Sequence, residues 1–149
     1  MPNTYTNLTY HIVFSTKKRR QFLSSSINTR LFPYIIGIAK NNDFKIISIN
    51  GIEDHIHILL SIKPHQTLSK TIQLIKGNSS KWIHGTFPEL QIFKWQEGYG
   101  AFTVSTSHIS IIKNYIANQQ YHHQKINFQD EYRAFIQKHN IDIDERYLF

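Results

Sequence analysis

The chain has 149 residues, 40% hydrophobic and 13% aromatic, which suits one folded domain with one core rather than a disordered segment. Seventeen Lys and Arg stand against ten Asp and Glu, a formal net charge of +7, and this surplus points to an anionic partner, nucleic acid foremost. No cysteine is present, so disulfides, thiolate catalysis and Cys-ligated zinc are excluded; with no apolar run of membrane-spanning length, the expectation is a single cytoplasmic domain over residues 1–149.

In chain order, Leu8, Tyr10, Ile12 and Phe14 alternate with Thr9, His11, Val13 and Ser15, the period of a strand. The basic run Lys17, Lys18, Arg19, Arg20 follows. Ser24, Ser25 and Ser26 offer N-caps to a helix carrying Ile27, Leu31, Ile35 and Ile38, which ends at Asn41-Asn42-Asp43. Phe44 to Ile49 reads as a second strand, Asn50-Gly51 as a hairpin turn, and Asp54 to Ile62 as a third strand closed by Pro64. Thr67 or Ser69 caps a second helix with Leu68, Ile72 and Ile75 inward, weakened in its middle by Gly77 and ended by Gly85 to Pro88. Tyr99 to Ser105 forms a fourth strand. Ser105 or Ser107 caps a third helix bearing Ile109, Ile112, Tyr115, Ile116 and Gln119, and Phe128 to Lys138 a last short helix, with 128–149 forming a C-terminal helix and tail. The order β-α-β-β-α-β-α predicts an α+β, ferredoxin-like antiparallel sheet with helices on one face, its third strand central.

His55 and His57 sit two apart on that third strand, so both imidazoles point to one face. They are either metal ligands or partly exposed strand histidines; Ile56, Ile58 and Leu60 form the buried opposite face, which leaves the histidine face to line a groove. Glu53 and Asp54 are placed to orient an imidazole or to cap the strand. On a helix, Gln119 falls about 40° from Tyr115 and His122 about 20° to the other side, so the three share a face, whereas Tyr121 points elsewhere. His108 and His123 read as surface residues. Two imidazoles, an amide oxygen and a phenol are the parts needed to hold a divalent cation and attack a phosphodiester, and an amphipathic helix packing Tyr115 on the sheet is the competing reading.

Five segments in order resemble the single-tyrosine HUH transposases of small hairpin-ended insertion sequences. They run from Leu8 to Arg20, Asp54 to Leu60, Leu74 to Ser80, Trp95 to Ser105 and Tyr115 to His123. The resemblance implies an HUH-type endonuclease fold. It implies cleavage and rejoining of single-stranded DNA at hairpin-bearing ends through a 5′-phosphotyrosine. Tyr115 would be the nucleophile, with His55, His57 and Gln119 as ligands of Mg²⁺ or Mn²⁺. It further implies a homodimer in which the tyrosine helix reaches the histidine pair of the other subunit, so that one chain holds half of each site. A domesticated relative that only binds hairpin nucleic acid is the alternative. Lys17, Lys18, Arg19, Arg20, Lys76 and Lys81 are the expected DNA contacts, and Trp82, Trp95, Tyr99 and Phe102 either stack on unpaired bases or belong to the core.

Overall fold

The alternating segment Leu8–Ser15 forms strand β1, and it pairs antiparallel on both sides, with strand β3 (His55–Ile62) and strand β4 (Gly100–Thr103). Strand β2 (Lys45–Ile52) pairs antiparallel with β3, giving the sheet order β2-β3-β1-β4 in a computed structural model that describes residues 4–142. The third strand is therefore internal, as the β-α-β-β-α-β order predicts.

Helix α1 (Ser25–Asn41) begins where Ser24 Oγ accepts the Ile27 amide hydrogen, and helix α2 (Leu68–Thr86) where Thr67 Oγ1 accepts that of Lys70. Each satisfies one of the amide donors that a helix start leaves unpaired. Both helices lie on one sheet face. Leu31, Ile35, Ile72 and Ile75 are buried there against Ile12, Phe14, Ile56, Ile58 and Leu60.

The opposite face is covered by the chain after β4. Helices α3 (Ile109–Ala117), α4 (Gln119–His122) and α5 (Phe128–Lys138) pack against it, and Val13, Phe102, Phe128, Tyr132 and Ile136 form a second, smaller core. The groove expected along the histidine face is absent for this reason: β3 is covered on both sides, and His55 and His57 are both fully buried.

Two expectations are corrected. Asn50-Gly51 is not the turn. Both residues lie inside β2, Gly51 opposite Ile56, and the reversal falls on Glu53-Asp54. Glycine is needed because a Cβ at Gly51 would collide with the His55 carbonyl oxygen. The third helix does not run on through Gln119. It breaks at Asn118, whose φ of −102° and ψ of 24° leave the helical region. Asn50 Nδ2 donates to the carbonyls of Ile116 (2.9 Å) and Ala117 (3.2 Å), so a strand side chain supplies partners that the end of α3 lacks. Residues 143–149, the expected tail, lie outside the described residues.

Candidate active site and metal centre

Strand β3 delivers His55 and His57 to the face covered by α3, α4 and α5. His55 Nδ1 donates to Asp54 Oδ1 at 2.7 Å, so the neighbouring carboxylate sets the ring orientation and turns Nε2 inward. There Nε2 faces Gln119 Oε1 at 3.3 Å and Glu131 Oε1 at 3.4 Å. His57 is held from its other side: Nδ1 lies 2.8 Å from Nε2 of His11 on β1, and Nε2 donates to Glu131 Oε1 at 2.9 Å.

The break at Asn118 does not separate the helical residues that share a face. Tyr115, from α3, stacks on His122 of α4 with ring centroids 4.5 Å apart, and its ring centroid lies 5.8 Å from that of His57. Its hydroxyl donates a hydrogen bond to Glu131 Oε2. Gln119 is fully buried, with Nε2 donating to the same oxygen at 3.4 Å. Tyr115, Gln119 and the histidine pair thus lie together within this chain. Tyr121 is 55% exposed and accepts a hydrogen bond from Lys125, pointing away as the helical angle predicts.

Glu131 and His123 are the site residues that period and spacing did not reveal. Glu131, on α5, is only 2% exposed, and His123, expected on the surface, turns its imidazole inward to donate to Glu131 Oε1 at 3.1 Å. His108 is exposed, as expected. The one sequence signal for Glu131 is slight: an acidic residue on the same helical face as Phe128, Tyr132 and Phe135 interrupts an otherwise apolar stripe.

The electrostatics follow from this crowding. Burial alone would raise the Glu131 carboxyl, but hydrogen bonds from His123, His55 and His57 overcome it and hold the group far below the usual carboxylate range. Burial pushes His57 down to about 4 against the pull of Glu131. Burial also lowers His11 well below its ordinary value, with His57 adding to the effect. His55 goes the other way: burial lowers it, but Asp54 and Glu131 together raise it. The Tyr115 phenol is raised by burial and by its bond to Glu131, so it keeps its proton.

The donor chemistry fits a divalent cation. One atom each from His55, His57, His123 and Glu131 lies within 4.8 Å of the others, and Gln119 Oε1 joins them at His55. Asp54 and His11 occupy the Nδ1 atoms of His55 and His57, which leaves both Nε2 atoms directed to the same place.

The expected DNA contacts are spread differently. Lys17, Lys18 and Arg20 are exposed on a turn beside the active end of the sheet, fixed there by the Thr16 amide donating to the Asp54 carbonyl at 2.8 Å. Lys18 and Arg19 adopt left-handed φ values of 58° and 55°. The Arg19 guanidinium lies against the Gln129 side-chain amide of α5, at 3.0 and 3.1 Å. Lys81 is exposed on α2. Lys76 is not presented to solvent in the same way, since its ammonium donates to the Gln96 and Gly98 carbonyls at 2.8 and 2.5 Å. Trp95 and Phe102 are buried in the two cores, and Trp82 stacks on Tyr34.

Residues 4–119 match the family described as "Transposase IS200 like". The ISDra2 transposase TnpA of Deinococcus radiodurans is 29% identical over 117 residues, covering 75% of this chain and 84% of that one. The transposase for insertion sequence element IS200 of Salmonella typhimurium is 30% identical over 125 residues, covering 80% and 81%. Among solved structures, one assigned as a transposase from Deinococcus radiodurans superposes with a TM-score of 0.66 at 27% identity, covering 78% of this chain and 94% of that one. A REP-associated tyrosine transposase bound to a REP hairpin shares the fold at a TM-score of 0.62 and 18% identity, covering 83% and 73%. With its antiparallel sheet, its buried histidine pair and this match over most of its length, the chain belongs to the IS200-like transposases, enzymes that process nucleic acid in DNA recombination.

Proposed function

We propose that this transposase cuts and rejoins single-stranded DNA at the hairpin-bearing ends of its element, with Tyr115 as the nucleophile. The observation that supports this most is the convergence of Tyr115 with His55, His57 and Gln119 on one face of the sheet within one chain. The Tyr115 oxygen attacks the phosphorus, the phosphorus–O3′ bond breaks, and a tyrosyl 5′-phosphodiester and a 3′ hydroxyl result. The Glu131 carboxylate that accepts the hydroxyl holds the phenol in place, its proton is given up to solvent water as the bond to phosphorus forms, and the departing 3′ oxygen takes up a proton from solvent. Attack by a 3′ hydroxyl on the tyrosyl phosphodiester reverses these events and rejoins a strand without an external energy source.

His55, His57 and Gln119 would hold Mg²⁺ or Mn²⁺. When bound, such a cation neutralises charge on the phosphodiester and polarises its non-bridging oxygen. The protein's own part is to hold the phenol still. Tyr115 is half-buried while the imidazoles are fully covered, so its edge is where a phosphate enters.

The DNA lies along the same end of the sheet. Lys17, Lys18, Arg20 and Lys94 line a cleft of about 400 Å³ with Phe22 and Ile92, a mixture suited to phosphates and base faces. Lys81 adds charge on α2, Arg19 orders the turn against α5, and Lys76 acts indirectly by holding the loop at residues 96–98. A homodimer is part of the proposal: Ile111 of α3 is 58% exposed, an apolar surface for a second copy to cover. No helix among the described residues is long and apolar enough to cross a membrane, and we place the enzyme in the cytoplasm with its DNA.

The test is incubation with a hairpin-bearing single-stranded oligonucleotide from the element's own ends and Mg²⁺ or Mn²⁺. A covalent protein–DNA adduct is expected on a denaturing gel. Its absence from every such hairpin would reduce the chain to a nucleic-acid binder.

A further inference from the structure

The match to the transposase family ends at Gln119, but the buried donor set continues past it. His123 follows four residues later, and Glu131 comes from α5. The apolar core on this second face of the sheet is built on Val13, Phe102, Phe128, Tyr132 and Ile136. A carboxylate beside them costs stability that an aliphatic side chain would not, unless polar partners compensate it, and here those partners are metal-binding side chains.

The two oxygens of Glu131 have different neighbours. Oε1 faces the Nε2 atoms of His57 at 2.9 Å, His123 at 3.1 Å and His55 at 3.4 Å. Oε2 accepts from the Tyr115 hydroxyl and from Gln119 Nε2. His123 Nδ1 is buried without a partner, so that ring is held through the Nε2 that it turns toward the shared centre.

We propose that His123 and Glu131 complete the metal-binding set of His55, His57 and Gln119, and that Glu131 binds the ion through one oxygen while positioning Tyr115 with the other. The positioning half rests on Tyr115 being the nucleophile; the ligand half stands without it. Three imidazoles with a carboxylate suit Mn²⁺, Co²⁺ or Zn²⁺ better than Mg²⁺, which favours oxygen ligands and retained waters. The C-terminal segment is then a working part of the active site, and it makes this chain's centre richer in nitrogen than the histidine pair and Gln119 alone.

The test uses the full chain, free of DNA and stripped of metal with a chelator, titrated with Co²⁺ while its visible absorption and binding heat are recorded. Glu131→Gln and His123→Gln should each weaken Co²⁺ binding by about tenfold or more and alter the absorption bands, whereas Tyr115→Phe should bind as the parent does. Thermal melting with and without Co²⁺ establishes that each variant is folded and should show a smaller metal-induced rise for the two ligand variants. Parental affinity and spectrum in both variants would overturn the ligand assignment, and equal affinity of the parent for Mg²⁺ and Co²⁺ would overturn the ion class. For positioning, Glu131→Gln at saturating Co²⁺ should bind hairpin DNA as the parent does but form adduct about tenfold more slowly or worse. An unchanged adduct rate would sink that half. If the parent forms no adduct at all, the nucleophile reading and the positioning half fall together, and the Co²⁺ titration still decides the ligands.

Discussion

The hydroxyl of Tyr115 and the carboxylate of Glu131 meet in a hydrogen bond although they lie sixteen positions apart in the chain, across a helix break. The bond ties the proposed nucleophile to the last described helix. It also fills one of the two carboxylate oxygens, leaving the other for the imidazoles.

Tyr115→Phe should abolish the covalent adduct while costing little stability. Glu131 keeps its bonds to three histidines, so the loss is that of one hydrogen bond, about 1 kcal/mol. Tyr121→Phe should leave the adduct intact, because that ring is exposed and paired with Lys125. Adduct formed by Tyr115→Phe and missing from Tyr121→Phe would reverse the assignment.

Asp54→Asn should weaken divalent-metal binding by about 10–100-fold, because the carboxylate at 2.7 Å fixes the His55 ring and supports its basicity. Calorimetric titration with Mn²⁺ reads this directly. Equal affinities would mean that Asp54 merely closes the turn.

Gly51→Ala should destabilise the fold by about 1–3 kcal/mol and disturb the metal site as well. The added Cβ would collide with the His55 carbonyl oxygen and stand 2.9 Å from Ile56 Cα, both backbone atoms that cannot swing aside. Urea unfolding together with metal titration measures both effects. A neutral result would show that the β2–β3 pairing yields at this point without cost.

Burial pushes the Lys76 ammonium from its ordinary 10.5 down to about 8. Between those values the unfolded chain still holds a proton that the folded chain has released, so this group makes stability rise with pH in that window and contributes no slope below it. Lys76→Met should lack the rise, an outcome read by comparing urea midpoints of the two proteins at about pH 7 and about pH 9.5. Parallel pH profiles would contradict the burial of this charge.

Replacing Lys17, Lys18 and Arg20 with alanine should flatten the salt dependence of DNA binding, by about 0.7 in the log–log slope for each phosphate no longer neutralised on a single strand. Lys76→Met should leave that slope nearly unchanged, since its ammonium is already given to the Gln96 and Gly98 carbonyls. Binding measured by fluorescence anisotropy across a salt series separates the two cases. An unaltered slope in the triple variant would move the DNA path elsewhere.

Period and capping made much of this protein legible from its residues. Alternation placed β1, Pro64 marked the close of β3, the serines at 24–26 and the Thr67 or Ser69 signal marked the starts of α1 and α2, and a spacing of two put His55 and His57 on one side of a strand. Helical spacing likewise put Tyr115 and Gln119 together, and this survived the break at Asn118 because α4 resumes within one residue. What covers that side was decided only by the tertiary structure. Period says which way a side chain points, but not which distant segment arrives opposite it. Hence the histidine face is closed, Asn50 is drawn into capping α3 in place of making a turn, and Glu131 comes from a separate helix to join three imidazoles and a phenol. A lone glutamate carries no periodic signal, and its meaning here comes entirely from the long-range contacts that bury it.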